Sequence, residues 1–334
     1  MPAGIATPLC RQLGIEVPIV QAPIGSATTP ELVAAVAEAG ALGMLALTWV
    51  PESELVGRLS RARQLTSRPF ALNFVLAFPV EEKLARCLDE GVRIISTAWG
   101  DPAALAVRIH AAGGLQMHVV GSVDEAKRAV DAGVDVIVAQ GWEAGGHVRG
   151  VVASMPLIPA VVDAVAPRPV IAAGGIADGR GLAACLVLGA QAAWLGTRFL
   201  TASEALTHEM YRRRVMAARA EDAMYTDCFD GGWPGTPHRA LRNSTMSRWE
   251  EAGRPRSPER PGEGDIVAVD LAEREHRRYD DIMPLSGMRG QLDELALYAG
   301  QSAGLVRNVA PAGQIVRHIV AEAEDALRRA ATVR

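Results

Sequence analysis

The residues best suited to chemistry lie in one short stretch, AQGWEAGGHVRG, at residues 139–150. It holds a carboxylate at Glu143, two adjacent glycines, an imidazole at His147 and a guanidinium at Arg149. Glycines let a backbone approach a bound molecule closely, or adopt positive φ, at little steric cost. A histidine titrates near neutral pH and can act as a base or as a hydrogen-bond donor. The stretch therefore predicts a ligand-binding loop in which His147 acts on the substrate and Glu143 holds the loop.

Four nearby side chains have less specific interpretations. Arg149 either supplies positive potential to the site or is a solvated loop arginine. His118 lies within a predicted strand and is expected to be a core or rim residue. Trp99 and Trp142 stand at strand ends, where their bulk would narrow the entrance and favour flat or slender substrates.

Two further glycine-rich motifs, AAGGI and LGTRF, end the seventh and eighth strand-like runs. In a parallel α/β barrel, the loops after these two strands commonly form a phosphate site. Gly174 and Gly175 can point backbone N–H groups at an anion, beside a helix that opens near Asp178. Gly196 and Thr197 would add N–H groups and a hydroxyl from the next unit. The alternative is that these glycines only make tight turns.

Amide side chains at other strand ends suit a planar heterocycle. Asn73 in the third strand and Gln140 after the sixth carry donors and acceptors that match the edge of an isoalloxazine ring. Ala22 and Pro23, after the first strand, and His147 would complete the surroundings of such a ring. The alternative for Asn73 is a hydrogen-bonded core amide.

The elements that must position these residues alternate regularly between strand and helix. Short apolar runs that end in glycine, proline or polar residues predict buried strands. They cover residues 18–25, 42–48, 70–76, 93–99, 115–122, 134–141, 169–176 and 192–200. Helices are predicted at residues 30–40, 52–66, 81–91, 102–112, 124–132, 156–165, 179–188 and 206–219. Eight uniform units favour a closed (β/α)8 barrel over a doubly wound open sheet, whose edges would need protection.

The pattern changes after about residue 220, so two domains are predicted: a barrel at 1–220 and a smaller region at 221–334. Residues 225–270 are rich in Pro, Gly and Arg and predict an irregular excursion with short helices. The remainder is expected to be mostly helical and packed over the barrel mouth, where the motif LYAGQSAG folds back. The terminal helix at 315–330 is amphipathic and could serve as a homodimer surface.

Composition and charge exclude several classes of function. The net charge of −4 carries no basic footprint for nucleic acid. No stretch approaches the roughly 20 apolar residues of a membrane span, and no secretory signal is recognisable. The four cysteines are scattered without a CxxC pair, so neither a zinc site nor a disulfide framework is predicted. We therefore expect a cytoplasmic protein without a bound metal.

The motifs PIVQAPIG, LNF, QGWEAGGHVRG, AAGGIADGRG, GTRF and AGQSAG together resemble the nitronate monooxygenase family, formerly called 2-nitropropane dioxygenases. The resemblance implies a TIM barrel that binds FMN without a covalent link. His147 would lie near the reactive face of the flavin, as a base for a neutral nitroalkane or a donor to a nitronate. The residues that would hold the flavin are Ala22, Pro23, Asn73, Gln140, Gly145, Gly146, Gly174, Gly175, Gly196 and Thr197.

The resemblance implies oxidation of alkyl nitronates with O2 to carbonyl compounds and nitrite. FMN-dependent enoyl-acyl-carrier-protein reductases share two of the motifs, so an NAD(P)H-dependent reductase of an enoyl thioester is the alternative. The segment HVVGS lacks a lysine that some nitronate monooxygenases carry there, which favours this alternative. A third hypothesis is a flavin-binding barrel without turnover, against which His147 argues.

Two further expectations follow from the reductase hypothesis. No GxGxxG unit is present, so NAD(P)H would bind transiently over the flavin face. The phosphates of a CoA or carrier-protein arm could meet arginines of the proline-rich excursion, which are otherwise a solvated face: Arg239, Arg242, Arg248, Arg254 and Arg256.

Overall fold

The computed structural model of the protein describes residues 5–333. Its first nine strands are β1 (Ile19–Gln21), β2 (Gly43–Ala46), β3 (Phe70–Val75), β4 (Ile94–Ala98), β5 (Leu115–Val120), β6 (Val136–Gln140), β7 (Gly146–His147), β8 (Val170–Ala173) and β9 (Ala192–Leu195). All except β7 pair in parallel, in the order β1-β9-β8-β6-β5-β4-β3-β2. A parallel bridge between Val20 and Leu42 joins the two ends of this sheet. The predicted closed barrel of eight strands is confirmed.

The helices are α1 (Pro8–Leu13), α2 (Pro30–Glu38), α3 (Glu52–Leu65), α4 (Glu81–Asp89), α5 (Ala103–Ala111), α6 (Val123–Asp131), α7 (Ser154–Val165), α8 (Gly179–Val187), α9 (Glu209–Ala217), α10 (Ser244–Glu251) and α11 (Ala312–Ala330). Thr29 caps α2 by accepting a hydrogen bond from the Leu32 N–H, with Pro30 in the first turn. No helix within residues 5–333 is long and apolar enough to cross a membrane.

The barrel interior is filled by alternate side chains of the strands, including Val20, Met44 and Ile171. The sequence did not predict α1, whose Leu9 and Leu13 join this interior cluster. The Leu9 N–H donates to the side chain of a residue just before β9, which places α1 at the amino-terminal end of the barrel. Burying each large apolar side chain here contributes about 1.5–3 kcal/mol. The packed core leaves only the carboxyl-terminal end of the barrel for a site.

The region after residue 220 is not mostly helical, and this part of the prediction is wrong. It contains β10 (Ala223–Thr226), β11 (His238–Leu241), β12 (Ile266–Val269), β13 (Glu275–Arg277) and β14 (Arg289–Gly290). The first two strands form an antiparallel sheet with β7, and the other three form a second one. Within residues 271–333, only α11 is an α-helix. Strands of two to four residues are too short to show a periodicity in the sequence, which explains the error.

The terminal helix α11 packs on the outside of the barrel, against α8 and α2. Its buried side chains include Ile315, Ile319 and Ala323. The approach to α8 is close, because a Cβ on Gly179 would lie 2.3 Å from the Ala323 nitrogen. The helix thus stands where the eighth outer helix of a barrel belongs. Its apolar face is covered within the chain, so it offers no free dimer surface; the homodimer and the domain division at residue 220 stay predictions.

Candidate functional site

A cavity of about 700 Å³ opens at the carboxyl-terminal ends of the barrel strands. Every predicted site residue contributes to its lining, although these residues come from five different barrel strands and the loops after them. They are Ala22, Pro23, Asn73, Gln140, Gly145, Gly146, His147, Gly174, Gly175, Gly196 and Thr197. The size is in the range of small-molecule and cofactor sites. The fold therefore brings the whole predicted set into one place.

The central loop is held in position by a strand pairing that the sequence did not reveal. In β7, His147 pairs with His238 of β11, and Gly146 pairs with Arg239. The Gln140 side chain donates from Nε2 to the His147 carbonyl oxygen at 3.2 Å. These bonds fix the backbone of His147 on both sides, so its ring is presented by a rigid element rather than by a free loop.

The motif LYAGQSAG folds back over the barrel mouth, as predicted. The Gly300 N–H donates to Thr197 Oγ1 at 2.9 Å, and the Gln301 N–H donates to the Glu143 carbonyl oxygen at 3.0 Å. A Cβ on Gly145 would lie 2.3 Å from the Gly300 nitrogen. Glycine is therefore required at position 145 by the close approach of two backbones.

Glu143 holds the loop, as the sequence indicated. Its carboxylate accepts hydrogen bonds from the Ser154 N–H at 3.1 and 3.0 Å, and from the Ser154 hydroxyl. Arg149 is not part of the cavity lining: its Nε lies 2.7 Å from the Glu125 carboxylate, and its side chain is about half exposed. The interpretation of Arg149 as an outer loop residue is the one that the contacts support.

Of the two predicted tryptophans, only Trp99 lines the cavity. Trp142 instead packs under the Arg239 guanidinium, whose central carbon lies 4.5 Å from the ring centroid. His118 is buried within β5, and its Nδ1 lies 2.8 Å from the Thr97 hydroxyl. The prediction of a core histidine at position 118 is confirmed.

The loop after β8 has the backbone that an anion site needs. Gly174 has φ of 96° and Gly175 has φ of 74°, values that L side chains rarely adopt. The next helix, α8, begins directly after them, and Asp178 caps it by accepting from the Gly181 N–H at 3.1 Å. Gly196 and Thr197 follow β9, which pairs with β8 in the barrel. These glycines and Thr197 are thus grouped at one end of the cavity, while the first N–H groups of α8 already donate to Glu322 and Asp178.

The other end of the cavity has room for a flat ring. Gly146 has φ of 70°, and a Cβ built on it would meet no atom within 4 Å. Asn73 uses its Nδ2 to donate to Ser96 Oγ at 3.2 Å, so this amide is partly engaged with the core. These features fit a flavin whose phosphate lies at Gly174 and Gly175.

His147 is surrounded by aromatic rings. Measured between ring centroids, His147 lies 4.4 Å from Trp233, 5.5 Å from His238, 5.6 Å from Tyr298 and 6.2 Å from Trp99. Aromatic residues make up only 4% of the chain, yet several of them gather at this one site. This grouping forms an apolar wall that keeps water from the imidazole.

Burial sets the electrostatics of this wall. It lowers the pKa of His147 to about 4, and it lowers the pKa of His238 to about 4 with a further contribution from His147. Both rings are therefore neutral at pH 7. His147 Nε2 is buried and has no hydrogen-bond partner among residues 5–333.

Sequence reasoning missed the residues that the C-terminal region adds to the site. Trp233 follows paired glycines in GGWPGTPH, and Tyr298 is the second residue of the motif LYAGQSAG. Asp281 lies in a stretch without any recognisable pattern. His238 stands in the sequence without a motif around it, yet its ring contacts that of His147. A glycine-flanked tryptophan in a polar segment was the one usable signal.

A family model for nitronate monooxygenases matches the chain over two overlapping stretches, residues 6–80 and 73–322. The chain belongs to the nitronate monooxygenase family. It is therefore an oxidoreductase, and the prediction made from its motifs is confirmed.

Relatives of the chain carry the names of different enzymes. A Mycobacterium tuberculosis protein, named a hydroxy-methyl-oxo-octahydroindene-carboxyl-CoA dehydrogenase, is 37% identical over 255 residues, which cover 75% of this chain and 70% of that protein. A probable nitronate monooxygenase of Staphylococcus aureus is 30% identical and covers 93% of this chain and 96% of its own.

Two solved structures match almost the whole chain. FabK from Thermotoga maritima has a TM-score of 0.83 at 31% identity, covering 98% of this chain and 99% of its own. A nitroalkane oxidase from Streptomyces ansochromogenes has a TM-score of 0.78 at 30% identity, covering 96% and 99%.

The arginines at the rim of the cavity are not the ones that the sequence suggested. Arg58 of α3 and Arg274 of the β12–β13 turn line it, and Arg274 lies 2.7 Å from the Asp270 carboxylate. None of the five arginines of the proline-rich excursion is among the lining residues. Arg239 is buried and donates to backbone carbonyls, while Arg242, Arg248 and Arg254 pair with glutamates. Their predicted role with a phosphate arm is not supported.

We expect this family member to lose stability as the pH falls from 7 to 5. Three buried histidines have pKa values lowered to about 4: His118, His147 and His238. In the unfolded chain their pKa is near 6.5, so below that pH the unfolded state binds more protons, until the folded rings also protonate near pH 4. Each contributes a loss of about 2 kcal/mol at pH 5.

Urea unfolding at pH 7 and pH 5 measures this loss. Substitution of His118 by Gln is expected to remove about one third of it. A free energy of unfolding that is the same at both values would contradict the prediction.

Proposed function

We propose that this chain is an FMN-dependent nitronate monooxygenase that oxidises alkyl nitronates with O2 to carbonyl compounds and nitrite. The observation that carries the proposal is the single cavity in which His147, unpartnered at Nε2, lies beside an anion-binding loop and an open place for a flat ring. Membership of the family and the likeness to a nitroalkane oxidase support the same reaction.

FMN fits the residues that are present. The backbone N–H groups of Gly174 and Gly175 would hold its phosphate, with help from Gly196 and Thr197. Asn73 and Gln140 would face the ring edge. FMN, when bound, accepts electrons from the substrate and passes them to O2. The protein supplies binding, orientation and the movement of protons.

His147 is the group that acts on the substrate. As a neutral ring at pH 7 it can accept a proton from the carbon beside a nitro group. Trp99, Trp233 and Tyr298 enclose it, so the substrate is held in an apolar space from which water is excluded. Exclusion of water strengthens the hydrogen bonds made inside the site and prevents side reactions.

The absorbance of the FMN-loaded protein tests the proposal under anaerobic conditions. Propionate 3-nitronate is expected to bleach the flavin, whereas NADH and NADPH leave it unchanged. Admission of air should restore the colour and release nitrite. A protein that takes up no FMN, or whose flavin does not respond to the nitronate, would contradict the proposal.

Reduction of an enoyl thioester, with NAD(P)H, is the second candidate. Its specific support is the wide cavity, at whose rim Arg58 and Arg274 are paired with Glu54 and Asp270 and would have to exchange these partners for a phosphate-bearing arm. The likeness to FabK and to a CoA-ester dehydrogenase points the same way. Rapid bleaching by NADPH or NADH alone, followed by reoxidation with crotonyl-CoA, would favour this candidate over the first.

A further inference from the structure

The carboxylate of Asp281 lies beside His147 and has no role in the reaction proposed above. Asp281 Oδ2 lies 3.7 Å from His147 Nε2, and the two side chains are 15% and 14% exposed. Both residues line the cavity. The separation is slightly too long for a hydrogen bond, but contacts of this kind commonly tighten when a substrate fills the site.

Asp281 is itself held in a fixed orientation. The Tyr298 hydroxyl donates to its other oxygen, Oδ1, at 2.5 Å. Tyr298 is held in turn, because the buried Tyr211 hydroxyl donates to its backbone carbonyl oxygen. The carboxylate therefore presents Oδ2 towards His147, and it cannot rotate away without breaking the bond to Tyr298.

Asp281 is the acidic side chain next to this imidazole; burial raises its pKa, and the hydrogen bond from Tyr298 opposes that rise. His238, 5.5 Å from His147 between ring centroids, has a pKa lowered to about 4 and is neutral at pH 7. Trp99 and Trp233 are uncharged. A carboxylate beside an imidazole fixes which nitrogen carries the proton and stabilises the ring when it becomes charged.

We propose that Asp281 is a positioning residue. Its carboxylate accepts a hydrogen bond from the protonated Nε2 of His147, so that Nδ1 is unprotonated and acts as the base. This inference rests on the proposed function. The C–H bond beside the nitro group breaks, its proton forms an N–H bond at Nδ1, and the electron pair moves onto the nitro oxygens. The imidazolium so formed is stabilised by Asp281.

The inference also selects the form of substrate. A neutral nitroalkane needs a base and gains from Asp281 in the transition state. A nitronate is already an anion, so a buried carboxylate beside His147 opposes its binding. Asp281 therefore serves the neutral nitroalkane, from which the nitronate is produced inside the site, while an added nitronate reacts without a base and binds more weakly beside this carboxylate.

Paired substrates test this assignment in the FMN-loaded enzyme, with nitroethane as the neutral form and ethyl nitronate as the anion. Substitution of Asp281 by Asn is expected to lower kcat/KM for nitroethane roughly 100-fold, and to lower KM for ethyl nitronate. Substitution of the adjacent Asp280 by Asn is the matched control, since Asp280 accepts from the Arg277 N–H and does not line the cavity. Equal losses on both substrates would indicate a structural role and overturn the inference.

A second measurement does not depend on turnover. In protein labelled with ¹⁵N-histidine, the nitrogen shifts of His147 report which ring nitrogen carries the proton. We expect protonated Nε2 in the parent protein and a changed pattern after Asp281→Asn. A proton on Nδ1 in the parent, or an unchanged pattern in the variant, overturns the inference. An enzyme inactive on both nitro substrates would end the proposed function, while the spectrum still decides the role of Asp281.

Discussion

Replacement of His147 by alanine is expected to lower kcat/KM for nitroethane by about 10²–10⁴-fold, while the protein still binds FMN. In the proposed reaction the imidazole accepts the proton, and the other histidine ring in contact with it among residues 5–333 is that of the buried His238. The flavin would be held by glycine N–H groups and amides that this substitution leaves in place. Steady-state kinetics and flavin absorbance measure the two effects separately.

The matched control is His118→Gln. His118 is equally buried, and its pKa is also lowered to about 4, but it bonds to Thr97 and does not line the cavity. Its substitution should change stability and leave kcat/KM close to the parent value. Added imidazole should partly restore turnover to His147→Ala. Full activity in His147→Ala would remove His147 from the proposed mechanism.

Replacement of Gly174 by alanine is expected to weaken FMN binding by at least about 10-fold. Its φ of 96° is strained for any L side chain, and a Cβ would lie 3.0 Å from the Gly141 carbonyl oxygen. The loop must therefore change its backbone conformation, and its N–H groups then no longer point at the phosphate. Fluorescence titration of the apoprotein with FMN measures the dissociation constant.

Gly57→Ala provides the control for this substitution. Gly57 lies within α3, and a Cβ there would meet no atom within 4 Å. Alanine in a helix interior is favoured over glycine by up to about 1 kcal/mol, so a small gain in stability and an unchanged FMN affinity are expected. Unaltered FMN affinity in Gly174→Ala would show that this loop does not hold the phosphate.

Local patterns were sufficient to predict the barrel. Each strand is a short apolar run ended by glycine or a polar residue, and each helix repeats apolar residues on one face, so neighbouring residues alone indicate the element. The turns at glycine pairs such as Gly174 and Gly175 could be predicted for a related reason. Only glycine takes positive φ freely, and the motif alone marks a turn.

The C-terminal region could not be predicted in the same way. Its strands contain two to four residues, too few for a period, and β11 also pairs with β7, which lies far earlier in the chain. The terminal helix α11 was visible as an amphipathic pattern, but the pattern could not tell whether α8, α2 or a second molecule would cover it. Which surface covers an apolar face is decided by packing.

The sequence by itself determined the barrel, the flavin-type glycine loops and the choice of His147 as the reacting group, since each depends on residue types close together in the chain. Only the tertiary structure decided what surrounds that histidine. The pairing of β7 with β11, the wall of Trp233 and Tyr298, and the carboxylate of Asp281 all depend on distance in space. Burial and proximity change an imidazole's pKa and its direction of proton transfer, and neither can be read from neighbouring residues.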